Sequence, residues 1–270
     1  MREPAVAGVI GWPISHSKSP LIHRFWLGKL GLDGDYSRFP VRPEQLGTFV
    51  RALPVMGVRG VNVTVPHKLA VMGHLDELTP GAAAVGAVNT IIVGNDNRLI
   101  GHNTDAAGII GPAGALMAGR PVLLIGSGGA ARAAASAARA SGASALWVMA
   151  RNLNAAGALV GASGLPGGVL AMGDLPPADT GLVFNATTLG MAGEPPLDLN
   201  LAVLAADAVV FDAVYVPLET PLLAAAHRRG LMTIDGLDML IGQAAEAFQL
   251  FFGAEAPRRY DAELRAMLTR

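Results

Sequence analysis

Pro121-Val122-Leu123-Leu124-Ile125-Gly126-Ser127-Gly128-Gly129-Ala130-Ala131 is the stretch whose reading decides the fold of this chain. An apolar run ends at a glycine-rich turn, and an alanine-rich segment to Ser141 follows, which reads as strand, loop and helix. Gly126, Gly128 and Ala131 match the dinucleotide fingerprint: a tight turn, room for a pyrophosphate near the backbone, and close helix packing. Gly142 ends the helix, Ala145 to Met149 forms the next strand, and Arg151 lies just past its end, where an adenine ribose is met. An arginine there in place of an acid favours a 2′-phosphate, hence NADP over NAD. Further strands fit at Gly168 to Ala171, Leu182 to Phe184, Ala208 to Phe211 and Leu231 to Ile234, making a doubly wound parallel sheet. Their C-terminal ends carry Asn185 with Thr187, Asp212 with Tyr215, and Asp235. Each of these either faces a ligand or forms a turn, and the turn is the favoured reading of Asp235.

Upstream, strand and helix alternate again, which implies a second mainly parallel α/β arrangement. Ala5 to Ile10 reads as a buried strand ending at Gly11-Trp12-Pro13. Ser19 followed by Pro20 reads as an N-cap and first helical residue of a helix to about Leu30. A helix start dressed with hydroxyls is also a natural carboxylate site, so cap and ligand are compatible roles for Ser19, and Lys18 has no assigned task. Asp35 to Phe39 reads as a strand and Pro43 to Leu53 as a helix.

In Val61-Asn62-Val63-Thr64-Val65-Pro66-His67-Lys68 the valines alternate with Asn62 and Thr64, so one strand face is expected in the core and the other wet. Helical spacing then runs from His67 to Leu78, which places Lys68 in a first turn, where the macrodipole disfavours a cation by roughly 0.3–1 kcal/mol. Lys68 is therefore either a solvated surface lysine or a catalytic one. Asn89, inside the run Gly86 to Val93, either satisfies backbone groups or shares the wet face with Asn62 and Thr64. Asn95-Asp96-Asn97 turns the chain back. Asp105 is placed to cap a helix from Ala106 to Met117, and Asn103 to Asp105 marks a domain junction. Gln243 interrupts the apolar stripe of a helix over Asp238 to Phe252 and needs a partner.

Composition narrows the function classes. The 270 residues are 51% hydrophobic and 15% charged, with aromatics at 5% and 34 glycines, so small aliphatics carry the packing of a two-domain α/β protein. A formal net charge of -1 without a basic run argues against nucleic acid and anionic membranes as partners. The absence of cysteine excludes disulfides, thiolate metal ligands and a thiol nucleophile, and fits a reducing compartment. The most apolar long segment, Asn200 to Pro217, is broken by Asp207 and Asp212 and is unsuited to span a membrane. Near the N-terminus Glu3 offsets Arg2 and a Gly-Trp-Pro turn follows the apolar run, which reads as a core strand rather than a signal peptide. The chain is read as cytoplasmic.

Taken together, His16-Ser17-Lys18-Ser19-Pro20, Asn62-Val63-Thr64-Val65-Pro66-His67-Lys68, Gly86-Ala87-Val88-Asn89-Thr90, Asn103-Thr104-Asp105, Gly126-Ser127-Gly128-Gly129-Ala130, Asn185-Ala186-Thr187 and Gln243-Ala244 resemble the shikimate dehydrogenase family. The blocks run along nearly the whole chain in family order. The resemblance implies a substrate-binding and catalytic domain over residues 1–104, completed by the C-terminal helices of residues 238–270, and an NADP-binding Rossmann domain over residues 105–237. It implies Lys68 and Asp105 as a catalytic pair in a cleft between the domains. Ser17 and Ser19 would hold the substrate carboxylate. Thr64, Asn89, Asp105 and Gln243 would bind its hydroxyls, with Tyr215 nearby. Gly126, Ser127, Gly128, Gly129, Ala130, Arg151, Asn185 and Thr187 would bind the cofactor.

The implied reaction is reversible hydride transfer between NADPH and 3-dehydroshikimate in aromatic amino acid biosynthesis, without a metal, by a monomer or homodimer. A positioned ammonium suits it, since reducing a ketone develops negative charge on oxygen. Three departures stand out: Ala106 follows the Asn-Thr-Asp where the family usually has glycine, Ala150 precedes Arg151 where asparagine is usual, and Asn152 replaces serine or threonine. Relatives acting on quinate or aminoshikimate share most of these motifs. A catalytically silent NADP-binding sensor would keep Gly126, Gly128 and Arg151, but has no need of Lys68 and Asp105.

Overall fold

A computed structural model describes residues 4–270, which fold as two compact units, residues 4–104 with 243–270 and residues 105–242. The first unit opens with β1 (Ala5–Gly11), α1 (Ser19–Leu30) and β2 (Gly34–Pro40), followed by α2 (Leu46–Ala52) and β3 (Gly60–Val63). After β4 (Glu77–Leu78) and α3 (Pro80–Val85) come β5 (Thr90–Val93) and β6 (Leu99–His102). Its sheet runs β2-β1-β3-β5-β6-β4, with β2, β1 and β3 parallel and β5 antiparallel to both of its neighbours. The antiparallel half follows from a tight hairpin: Asn97 adopts φ 64 and Gly94 N–H bonds Arg98 O at 2.8 Å, at the turn expected from Asn95-Asp96-Asn97.

Three local expectations are corrected here. Residues 67–78 do not form an α-helix; the chain turns through Lys68 and Leu69 and forms only a 3-10 helix, Ala70–His74. The carbonyl of Lys68 accepts from Val88 N at 2.9 Å instead of serving Met72, and the His67 ring bonds Val41 O at 2.7 Å, so tertiary partners take the groups a helix would use. Lys68 therefore lies outside any helical first turn. Ser19 is not an N-cap but the first residue of α1, and Lys18 occupies the cap position without a capping bond from its side chain to the helix. On the side of β3 expected to be wet, Asn62 is buried with the rest of that strand, Thr64 lies just beyond it and is half-buried, and Val65, expected in the core, is exposed.

The core of this unit beside β1 and β2 is an aromatic cage. His23, fully buried, stacks on Tyr36 with centroids 4.0 Å apart and meets Trp26 and Phe248 at 5.9 and 5.8 Å. Neither ring nitrogen of His23 has a hydrogen-bond partner.

The second unit comprises α4 (Asp105–Met117), β7 (Pro121–Ile125), α5 (Gly129–Ala140), β8 (Ala145–Ala150), α6 (Leu153–Ser163), β9 (Gly167–Ala171), β10 (Leu182–Asn185), β11 (Val209–Asp212), α7 (Pro221–Arg228) and β12 (Met232–Ile234). A long helix, α8 (Gly236–Phe252), begins in this unit and ends in the first, where α9 (Asp261–Leu268) closes the chain. The sheet order β9-β8-β7-β10-β11-β12, all parallel, is the doubly wound order with its reversal between β7 and β10. Val122, Leu123, Leu124 and Ile125 are all buried, as a strand covered on both faces requires. Alanines at 131, 133, 134, 135, 137 and 138 of α5 are buried as well, and their small side chains let that helix approach its neighbours closely.

Burial pushes the His23 imidazole from 6.5 down to about 3. The unfolded chain takes up that proton near 6.5 and the folded chain resists it, so this contribution to stability is fully present above 6.5 and is lost as pH falls towards 3. Urea denaturation between about pH 6.5 and about pH 4.5 is expected to show a loss of roughly 1.4 kcal/mol per pH unit from this group, and His23→Phe to remove it. An unchanged slope in His23→Phe would refute the assignment.

Candidate active site

In the first unit the loops after β1 and β3 are pressed together. Trp12 N bonds Val65 O at 3.1 Å, Thr64 N bonds Ile10 O at 3.0 Å, and a Cβ on Gly11 would lie 2.6 Å from the Thr64 methyl. Glycine at 11 is what allows Thr64 this close. Ser17 and Ser19 are both buried, and the Ser17 hydroxyl donates to Ser19 Oγ at 3.3 Å. Two cations brace this loop: Arg38 donates from Nε to Ser17 O at 2.9 Å, and Lys18 Nζ donates to Leu268 O at the end of α9.

From Ser19 a buried polar chain crosses the unit. The Tyr36 hydroxyl lies against Ser19 and donates to Asn62 Oδ1 at 2.6 Å. Asn62 Nδ2 donates to Thr90 Oγ1 at 2.8 Å and to Asn89 O at 3.2 Å. Thr90 Oγ1 donates to Asn89 Oδ1 at 3.0 Å, and Asn89 Nδ2 donates to Thr104 Oγ1 at 3.0 Å. Thr104 N also donates to Asn89 Oδ1 at 2.8 Å, and Thr104 Oγ1 reaches Gln243 Oε1 at 3.4 Å. The chain brings together Ser17, Ser19, Asn89 and Gln243 from the expected set, while Thr64 stands half-buried over Gly11. Lys68, half-buried, is carried on the segment whose backbone His67 and Val88 pin.

In the second unit Asp105 is buried as the first residue of α4. Gly126 adopts φ +108, and a Cβ there would meet Thr187 Cγ2 at 3.0 Å; a Cβ on Gly128 would meet nothing within 4 Å. Gly128 is the cap of α5 and has no side chain to satisfy that helix's first N–H groups, which leaves them to an anion, with Ser127 before them and Gly129 and Ala130 in the first turn. This open backbone cradle fits a dinucleotide pyrophosphate. Asn185 is fully buried and its Oδ1 accepts from Thr187 N at 3.0 Å and Thr187 Oγ1 at 2.7 Å. Arg151 is exposed just past β8, and the following Asn152 caps α6 by accepting from Ala155 N at 3.0 Å. Tyr215 is half-buried in the turn after β11, and Asp235 accepts from Leu237 N at 2.9 Å at the start of α8, a turn-forming role.

Sequence reasoning passed over Tyr36, Thr90 and Thr104, which complete the polar chain. Thr90 and Thr104 each stood inside a family block, Gly86 to Thr90 and Asn103 to Asp105, but Tyr36 lies in the strand Gly34–Pro40 with nothing local to mark it.

The fold and these groups define a class: a Rossmann-type nucleotide-binding unit joined to a separate α/β unit lined with buried hydrogen-bonding side chains. Residues 9–91 match the family described as the shikimate dehydrogenase substrate binding domain, and residues 236–263 the shikimate 5'-dehydrogenase C-terminal domain. Shikimate dehydrogenase (NADP(+)) of Sphingopyxis alaskensis is 51% identical over 267 residues, covering 97% of this chain and 96% of its own. Shikimate 5-dehydrogenase of Thermus thermophilus, solved in complex with NADP(H) and shikimate, superposes with a TM-score of 0.86 at 34% identity, over 98% of this chain and 99% of that one. Quinate dehydrogenase of Corynebacterium glutamicum, solved with NAD, superposes at 0.87 with 31% identity, over 98% and 99% of the two chains. The chain belongs to the shikimate dehydrogenase family.

Asn62→Ala would remove the acceptor of the Tyr36 hydroxyl and the buried donor to Thr90 Oγ1 and Asn89 O, and is expected to cost about 2–4 kcal/mol. Urea denaturation measures it, and a loss within about 0.5 kcal/mol, as for a surface change, would contradict the network.

Proposed function

We propose that this chain catalyses the NADP-dependent, reversible reduction of 3-dehydroshikimate to shikimate in aromatic amino acid biosynthesis. The observation that carries the reading is the buried polar chain from Ser17 to Gln243, lying in the unit whose residues 9–91 match a substrate-binding domain. A carboxylated, polyhydroxylated ring needs such a set of donors and acceptors held without water. Ser17 and Ser19 hold the substrate carboxylate; Thr64, Asn89, Asp105 and Gln243 bind its hydroxyls, with Tyr215 nearby. Residues 1–104 with the C-terminal helices form the substrate and catalytic domain, and residues 105–237 the nucleotide domain.

NADPH supplies the hydride when bound. Gly126, Ser127, Gly128, Gly129 and Ala130 cradle its pyrophosphate, Asn185 and Thr187 shape the adjoining turn, and Arg151 pairs with the 2′-phosphate. Lys68 and Asp105 together move the proton at the carbonyl oxygen, with the Lys68 ammonium stabilising the charge that develops there. A pinned backbone on both sides of Lys68 supports this role, because a general acid must be held against the atom it protonates. No helix of the described residues is long and apolar enough to cross a membrane. With a formal net charge of -1 and no basic run, small molecules are the expected ligands of a cytoplasmic monomer or homodimer.

Oxidation of shikimate with NADP, followed by absorbance, tests the reading; no turnover of shikimate or quinate with either NADP or NAD would sink it. Quinate is the second substrate because the Corynebacterium quinate dehydrogenase matches almost this entire chain. Lys68→Ala is expected to lower kcat by about a hundredfold to ten-thousandfold, and an unaffected kcat would refute its role. Arg151→Ala is expected to raise the KM for NADP by about tenfold or more while leaving that for NAD within about twofold, since one charge-assisted pair is lost only where a 2′-phosphate is present. An equal change for both cofactors would place Arg151 away from the ribose.

A further inference from the structure

Among the fully buried ionisable groups that the proposed mechanism does not use, Asp212 is the one that stands at the strand ends beside the glycine loop. Asp212 is the last residue of β11, paired in register with Asn185 at the end of β10, which in turn is paired with Ile125 at the end of β7. Three adjacent strand ends therefore stand level, and the glycine turn begins at the third. Asp212 receives hydrogen bonds from Asn185 Nδ2 at 2.9 Å, Val214 N at 3.0 Å and Thr220 Oγ1 at 2.6 Å. All are donors, which suits an ionised carboxylate, an acceptor only. Burial raises its carboxyl above the usual value, while the bonds from Thr220, Val214 and Asn185 oppose that rise.

The carboxylate decides which way the Asn185 amide points. With Nδ2 drawn to Asp212, Oδ1 must face the opposite way, where it accepts from both the backbone and the hydroxyl of Thr187. Thr187 Oγ1 then accepts from Leu189 N at 3.1 Å, and Asn185 Nδ2 also donates to Leu189 O at 3.2 Å, which closes the turn. In that turn the Thr187 methyl is the atom that a Cβ on Gly126 would meet at 3.0 Å. On the other side, Ala213 N bonds Asn185 O at 3.0 Å and Val214 N bonds Asp212, so the backbone leading to Tyr215 is tied to the same group.

We infer that Asp212 is a positioning residue for the cofactor. Through Asn185 it holds the 185–189 turn against the glycine loop at the reversal of the sheet, and thereby sets affinity for the pyrophosphate and nicotinamide end of NADP. The inference rests on the NADP reading above. An amide at 212 would still accept from Asn185 and Val214, but it presents a donor to Thr220 and no longer forces the Asn185 amide one way. An alanine would leave three donors without an acceptor. In either case the turn must be ordered by the ligand, at a cost in affinity.

The test is calorimetric titration of intact wild type, Asp212→Asn and Asp212→Ala with NADP and, separately, with adenosine 2′,5′-bisphosphate, which has the ribose phosphate but no nicotinamide half. The expected result is an NADP Kd raised about threefold or more in Asp212→Asn and about tenfold or more in Asp212→Ala, with the bisphosphate Kd in Asp212→Asn within about twofold of wild type. An unchanged NADP Kd in Asp212→Asn, or an equal loss for both ligands in that variant, overturns the inference. Failure of the wild type to bind NADP overturns both the inference and the reading beneath it, whereas unaltered variants beside a binding wild type overturn the inference alone.

Discussion

The amide of Asn62 is buried on β3, and everything around it follows from the need to satisfy its oxygen and nitrogen without water. An unpaired buried amide costs several times what a hydrogen bond contributes, so each partner must itself be partnered. Tyr36 answers the oxygen, Thr90 and the Asn89 carbonyl answer the nitrogen, and the demand passes on through Asn89 to Thr104 and Gln243. A chain of this kind has few low-energy arrangements. It holds its members to one geometry, which is what a site that orients several hydroxyls of one small ring requires. The stacked pair of His23 and Tyr36 beneath it extends that rigidity into an apolar cage.

In the nucleotide unit the controlling constraint is close approach. The parallel sheet places three strand ends level, and glycine at 126 permits the Thr187 methyl to come near where a side chain would stand. The turn bearing that methyl is shaped by Asn185, and Asn185 is oriented by a carboxylate that never reaches the glycine loop. Affinity for a phosphate-bearing ligand at such a place depends on backbone N–H groups held ready, and they are only as ready as the turns that pack on them.

Legibility in the chain followed the range of the interactions. The fingerprint and its flanking strands were readable because strand, turn and helix are local, and the parallel order followed from alternation. The alternation of valines with Asn62 and Thr64 was read correctly as a strand but wrongly as half wet, because strand period reports which residues share a face and not what covers that face. Helical spacing after Pro66 was likewise real in the sequence and overruled in the fold, since Val88 and Val41 offered the backbone and His67 other partners. Ser19 looked like a cap and turned out to be the first helical residue, which leaves its hydroxyl to face Ser17 and Tyr36.

By itself the sequence determined the α/β class, the doubly wound order, the glycine cradle and the identities of the polar residues at the strand ends, because each is written in contiguous residues whose conformational limits are local. Only the tertiary structure decided that Tyr36, Thr90 and Thr104 join Asn62 and Asn89 in one network, that Asp212 orients Asn185, and that Lys68 sits on a turn rather than a helix. Those outcomes depend on which groups meet across the sheet once water is excluded, and a buried donor takes whatever acceptor the fold delivers, however far away it lies in the chain.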